Sequence, residues 1–235
     1  MTGSVHSFQS LGTVDGPGIR FVVFLQGCNL RCGCCHNPDT WDMHGGTVYT
    51  AQEIVNKAAR FREYFGKDGG ITVSGGEPLL QAEFCTEIFR LCHENGINTC
   101  LDTSGSILND AVKELLSHTD RVLLDVKYTQ DSLYRKHVGC SMDKPLSFLN
   151  HLQQIGIPVT LRQVIIPTLN DNEDNINKLR DIIRSFSCID KAELLPFRKI
   201  CQVKYDDMGI EFPFKNIPTP TKEQMQILNS ILNAP

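Results

Sequence analysis

Apolar residues fall along the chain in two alternating rhythms. Short continuous runs at 19–25, 71–73, 98–102, 122–126, 159–166 and 192–195 read as core strands, and longer segments with helical spacing lie between them. In the stretch 51–65, for example, Ala51, Ile54, Val55, Ala58, Ala59, Phe61 and Phe65 recur with the period of an amphipathic helix. Further helices are expected at about 80–94, 109–117, 131–137, 145–155, 174–186 and 221–233. Parallel neighbours need crossover connections, so strands that alternate with helices predict a parallel sheet with helices outside. Six such units predict an α/β fold, a partial (β/α)6 TIM-like barrel, built as one domain over 1–235. The lead-in containing His6-Ser7-Phe8 carries no assigned element.

Polar and glycine-rich strings interrupt this pattern, and most of them follow a strand. They are Cys28–Cys35 in a loop at 26–37, Ser74-Gly75-Gly76-Glu77-Pro78, Asp102-Thr103-Ser104-Gly105 and Asp125–Lys127. In α/β folds that edge of the sheet is where ligands bind. One further string, Gly12-Thr13-Val14-Asp15-Gly16-Pro17-Gly18, marks a tight loop just before the first core strand.

Composition narrows the picture mainly by exclusion. A net charge of −4, without a run of five or six like charges, leaves no electrostatic footprint for nucleic acid or an anionic membrane. The first twenty residues hold no apolar signal core and nowhere do eighteen apolar residues run together, so a cytoplasmic, unprocessed chain is expected. Ten cysteines in 235 residues are too sparse for a disulfide scaffold. Cys85, Cys92, Cys100, Cys140, Cys188 and Cys201 are scattered singly and read as small buried hydrophobes.

The loop at 28–35 is different, because four thiols fall within eight residues. Three thiolates at C-x3-C-x2-C spacing can each hold one iron of a [4Fe–4S] cluster and leave the fourth iron open to a small ligand. Cys28 and Cys32 are the first two; spacing alone leaves either Cys34 or Cys35 as the third. A zinc site using His36 is the rival, although adjacent Cys35 and His36 are poorly placed to chelate one ion. Lys127 and Arg162 are cations at or within strands, which calls for an anionic partner. Asp102, Thr103 and Asp125 gather hard oxygens at consecutive strand ends, suited either to a hard cation or to capping the next helices.

Cys28-x3-Cys32-x2-Cys35 together with Ser74-Gly75-Gly76-Glu77-Pro78 resembles the radical S-adenosylmethionine superfamily. Asp15-Gly16-Pro17-Gly18-Ile19-Arg20, Cys35-His36-Asn37-x-Asp39-Thr40-Trp41-Asp42, His44-Gly45-Gly46, Leu101-Asp102-Thr103, Leu124-Asp125-x-Lys127 and Leu194-Leu195-Pro196 resemble, more narrowly, the pyruvate formate-lyase activating enzymes. That resemblance implies cluster ligation by Cys28, Cys32 and Cys35, with Cys34 a non-ligand. It implies S-adenosylmethionine on the open iron, with contacts from Gly75, Gly76, Glu77, Asp102, Asp125, Lys127, Arg162 and Arg198. Where Arg198 stands the family often places a His. A monovalent cation at Asp102, Thr103 and Asp125 is implied beside the cofactor, and Asp15 to Arg20 are implied to grip the partner's segment.

The implied reaction begins with one-electron cleavage of the sulfonium to a 5′-deoxyadenosyl radical. That radical takes the Cα hydrogen of a glycine in pyruvate formate-lyase, with a flavodoxin or ferredoxin as electron donor. The absence of cysteine from 36–70 speaks against the ferredoxin-like insert that activators of glycerol dehydratases and related enzymes often carry. Activation of another glycyl radical enzyme remains the alternative, followed by a zinc-stabilised interaction module and a small redox relay.

Overall fold

The computed structural model describes residues 1–234. Its strands are β1 (Thr2–Gly12), β2 (Arg20–Leu25), β3 (Thr47–Thr50), β4 (Gly70–Gly75), β5 (Asn98–Thr103), β6 (Arg121–Asp125), β7 (Val159–Ile165) and β8 (Ile189–Pro196). Its helices are α1 (Ala51–Ala59), α2 (Arg62–Phe65), α3 (Ala82–Glu94), α4 (Asp110–Ser117), α5 (Asp131–His137), α6 (Asp143–Ile155), α7 (Glu173–Ser185), α8 (Gln202–Asp207) and α9 (Lys222–Leu232). The strands form one open sheet in the order β3-β1-β2-β4-β5-β6-β7-β8. From β2 onward every pairing is parallel, which is the six-strand core of the partial barrel.

Side chains alternate across this sheet, as strand geometry requires. Phe21, Val23, Ile71, Val73, Leu101, Val122, Leu124, Val159 and Leu161 belong to the main apolar core. The intervening positions form the other face, and there Thr72, Ser74, Cys100, Asp102, Asp125, Thr160 and Arg162 give a mostly polar interior. A second apolar cluster, with Leu30, Tyr128, Tyr134, Phe197, Tyr205 and Phe212, packs where the cysteine loop meets α5 and α8. Among the described residues no helix is long and apolar enough to cross a membrane.

Four features depart from the pattern-based expectation. The lead-in is a strand, β1, antiparallel to β2 on one side and to β3 on the other. Its signal is weak because only Val5 and Gly12 are buried while His6, Ser7, Gln9 and Ser10 stay partly or fully exposed. The helix expected at 51–65 breaks after α1, where Phe61 turns inward to stack on Phe21 with ring centroids 5.5 Å apart. Short α8 buries Tyr205 alone and shows no periodicity to detect.

Arg20 is the fourth. It does not face a partner: it is wholly buried at the start of β2. Its guanidinium donates to Thr72 Oγ1 at 3.0 Å, Asn98 Oδ1 at 2.8 Å and the Asp68 carbonyl at 3.1 Å, with further bonds to the carbonyls of Ile71 and Asn98. It therefore ties β2, β4 and β5 together at the end of the sheet opposite the polar strand ends. Arg20→Met keeps the length and removes every donor, leaving several buried oxygens bare. A loss on the order of 3–5 kcal/mol in urea unfolding is expected; a loss under about 1 kcal/mol is incompatible with this role.

Candidate functional site

The cysteine loop is held from three directions before any ligand is considered. The ladder between β2 and β4 continues past both strands, with Gly76 N–H donating to the Leu25 carbonyl and Glu77 N–H to the Gly27 carbonyl, both at 2.9 Å. This close approach dictates the residue type. A Cβ on Gly76 would lie 2.0 Å from the Gly27 oxygen, and Gly75 adopts φ +119° with its Cβ position 2.2 Å from the Leu25 nitrogen. The two glycines thus seat the thiol loop, a requirement separate from any approach to a ligand.

From the second side, Arg31 N–H donates to the Val138 carbonyl at 3.1 Å and Gly33 N–H to the His137 carbonyl at 2.9 Å, pinning the loop to the end of α5. From the third, Gln26 donates to the Asp39 and Asp42 carbonyls at 3.1 and 2.9 Å. Lys204 on α8 bonds Asn37 and Asp39 at 2.9 and 3.0 Å, and His6 meets Asp39 at 3.0 Å. Gln26, His6 and Lys204 were not expected at the site. The only sequence hint was polar side chains at positions the fold happens to close over.

Cys28, Cys32, Cys34 and Cys35 line a cavity of about 300 Å3 at the carboxyl ends of the parallel strands, opposite Asp102, Asp125, Lys127 and Arg162. Asp15, Gly75, Gly76 and Glu77 line it too. A larger hollow of about 740 Å3 runs between residues 13–17 and β8 and meets the first at Leu195.

Arg162 bridges Asp102 and Asp125, Lys127 donates to Asp125 at 3.0 Å, and Ser74 donates to Asp102 at 2.9 Å. Burial alone would raise Asp125, but Lys127 and Arg162 together hold it down at about 2. Desolvation wins at Asp102, pushed up to about 6 in spite of Arg162. Burial also raises Asp15 and Glu77, and it pushes the Cys28 and Cys34 thiols to about 12 and Cys35 to about 11. The thiols are therefore protonated at neutral pH in the metal-free protein.

Two expected contacts have other duties. Glu77 is 2% exposed, and its carboxylate accepts from Thr103 Oγ1, Ser104 Oγ, Ser104 N–H and Leu79 N–H, so it locks β4 to β5. Thr103 is thereby committed to Glu77, and Asp102 and Asp125 to Arg162; among the described residues no three His, Cys, Asp or Glu side chains converge on one ion. Arg198 stays out of the cavity. Phe197 takes the buried position after β8, which turns Arg198 outward into a groove beside α9, and only its carbonyl touches the loop, at His36 Nε2, 3.0 Å away.

The profile of the Radical SAM superfamily matches residues 22–179. The chain is 45% identical over 231 residues to a pyruvate formate-lyase-activating enzyme of Clostridium pasteurianum, covering 98% of this chain and 97% of that one. It is 41% identical over 233 residues to pyruvate formate-lyase 1-activating enzyme of Escherichia coli (strain K12), covering 98% and 95%. Among solved structures, a domain of a pyruvate-formate lyase-activating enzyme from Bacteroides vulgatus superposes with TM-score 0.58 at 24% identity, over 70% of this chain and 92% of that one. A radical SAM methyltransferase from Sphaerobacter thermophilus superposes with TM-score 0.63 at 19% identity, over 91% and 63%. At such identities the likeness is one of fold.

The raised Asp102 carboxyl has a measurable consequence. Its folded value of about 6 lies above the ordinary 3.8, so its contribution to stability is complete below pH 3.8 and is lost as pH rises through about 6. Asp102→Asn removes that loss, keeping its one oxygen for Arg162 while its amide nitrogen can donate to Ser74 Oγ. Between pH 4 and 7 the metal-free wild type is expected to lose stability relative to the variant, on the order of 2–3 kcal/mol by urea unfolding. Parallel pH profiles would show the assignment to be wrong.

Proposed function

The chain belongs to the radical SAM superfamily and, within it, to the pyruvate formate-lyase-activating enzymes, and from that premise we propose that it activates a pyruvate formate-lyase by creating a glycyl radical on it. The observation that carries this reading is the near full-length likeness to those activators, joined to a cavity with thiols on one wall and paired charges on the other. When bound, a [4Fe–4S] cluster would supply one electron for breaking a carbon–sulfur bond of S-adenosylmethionine into methionine and a 5′-deoxyadenosyl radical, which would take the Cα hydrogen of the partner's glycine.

The residues present fit that pair of cofactors. A cluster takes one thiolate at each of three irons, so its thiols need not converge on a single point as zinc ligands do. Cys28, Cys32 and Cys35 serve as the ligands, and loading releases their protons, because burial keeps the free thiols neutral. Lys127 and Arg162 lie where a carboxylate can meet them, while the excess of Asp and Glu favours a cationic sulfonium. The Gly75–Glu77 backbone lines the same wall. A monovalent cation would have to share Asp102 and Asp125 with Arg162.

Asp15 is the group that meets the partner's glycine segment. Its Oδ2 is buried without a hydrogen-bond partner among the described residues, its side chain lines the cavity of the thiols, and the larger hollow lined by its neighbours Val14 and Gly16 supplies the approach. Phe24, Leu30 and Val164 add apolar wall that limits water around the reacting atoms. A flavodoxin or ferredoxin supplies the electron, and the reaction belongs to the cytoplasm. A zinc-held module and activation of a different glycyl radical enzyme draw no support from relatives named for pyruvate formate-lyase.

Two experiments test this. The reduced protein, S-adenosylmethionine and pyruvate formate-lyase mixed anaerobically are expected to yield the doublet of a glycyl radical in electron paramagnetic resonance; no signal with a fully loaded cluster sinks the function. Cys28→Ala, Cys32→Ala and Cys35→Ala are each expected to lose most bound iron and the brown absorbance, whereas Cys34→Ala retains both. Iron loss in Cys34→Ala equal to that in Cys35→Ala overturns the ligand assignment.

A further inference from the structure

Tyr128 follows Lys127 just beyond β6 and is 1% exposed. Its ring is fixed from two sides, edge-on against Tyr134 with centroids 6.2 Å apart and beside His137 at 5.8 Å. Its hydroxyl nevertheless has no hydrogen-bond partner among the described residues. A small void of about 10 Å3 lies here, and Cys34, Asp125, Lys127, Tyr128 and Arg162 line it.

The acceptors near this hydroxyl can be taken in turn. The Asp125 carboxylate is occupied by Lys127 and Arg162, its carbonyl accepts from Tyr134 Oη, and the Val126 carbonyl accepts from Gln163 Nε2. What remains are sulfur and His137 Nε2, which is likewise buried without a partner beside this ring, and of the two only sulfur becomes a stronger acceptor on loading. Cys32 and Cys34 belong with Tyr128 to the same apolar cluster, and the loop that carries them is bonded to the His137 and Val138 carbonyls directly beneath. A protonated thiol accepts a hydrogen bond weakly, and thiolates and sulfides held by iron accept strongly. The hydroxyl thus lies idle in the metal-free protein at the place where a strong acceptor forms on loading.

We propose that Tyr128 donates its hydroxyl to a sulfur on the Cys32–Cys34 side of the assembled iron–sulfur cluster and thereby raises the cluster's reduction potential. Reduction adds negative charge to the cluster, and an O–H dipole aimed at sulfur stabilises the reduced form more than the oxidised one. Tyr128 is a tuning residue, acting on the cluster and not on the substrate.

The inference rests on the cluster loading set out above, and its test needs neither S-adenosylmethionine nor the partner. Full-length wild type and Tyr128→Phe are reconstituted anaerobically with iron and sulfide and titrated against a reductant, with the reduced cluster followed by electron paramagnetic resonance. Equal iron and sulfide content is expected, with a tenfold lower ratio of reduced to oxidised cluster in the variant at a given poise, a midpoint 59 mV lower for a one-electron couple. Equal midpoints overturn the proposal. Should Tyr128→Phe fail to load, 3-fluorotyrosine at position 128 keeps the shape with a more acidic hydroxyl: a higher midpoint supports the proposal and an unchanged one overturns it. A missing glycyl radical signal leaves these outcomes untouched, whereas a wild type that binds no cluster removes both readings.

Discussion

The site depends on one backbone contact, the continuation of the β2–β4 ladder into the loops that follow. Because Gly76 and Glu77 donate to Leu25 and Gly27, the first turn of the cysteine loop is placed against the end of a neighbouring strand. Side chains are excluded there by distances near 2 Å, so two glycines in succession are a steric necessity. Glu77 then anchors the far side by accepting from Thr103 and Ser104. The thiols, the glycine turn and the acidic end of β5 consequently move as one rigid edge. Catalytic geometry of this kind needs such support, since a shift of an ångström in a reacting group costs much of its rate.

Electrostatics reinforce the same reading. The cavity wall carries Asp15, Glu77, Asp102 and Asp125 against Lys127 and Arg162. Burial raises three of the four carboxyls, which means that the ligand-free cavity cannot bear their full charge. A cationic ligand relieves that penalty, whereas an anionic one would deepen it everywhere except beside Lys127 and Arg162. A zwitterion with an added positive sulfur meets both demands.

Much of this was legible because the chemistry sits where strands stop. Cys28–Cys35, Ser74–Glu77, Asp102–Thr103 and Asp125–Lys127 each follow an apolar run, and the structure gathers them into one cavity. Helix boundaries at Thr50, Asn109, Asn172 and Thr221 follow capping chemistry equally visible in sequence. Burial was harder to read than position. Arg20 and Arg198 look alike in sequence, yet one is sealed beneath the sheet and the other faces solvent, since which side of the chain packs is decided by Thr72, Asn98 and Phe197, residues distant in sequence or apolar. β1 and α8 escaped detection for a related reason: each buries too few side chains to leave a period.

Two polar atoms bear most directly on what the cavity awaits. Asp15 Oδ2 and Tyr128 Oη are both buried without partners among the described residues. Each such group costs about 1–3 kcal/mol relative to a satisfied one. Buried polar groups elsewhere are mostly paired, as in Asn170 and Asn175 bonding Gln163, Val164 and one another. Among the described residues, four buried side-chain atoms have no partner: Asp15 Oδ2, Tyr128 Oη and His137 Nε2 lie around the cysteine loop, and Arg180 Nε lies on α7. Asp15 lines the cavity that holds the thiols, and Tyr128 lines the small void beside Cys34. On the two proposals above, the partner's segment takes up the first atom and the cluster the second, so that loading satisfies what the chain alone leaves bare.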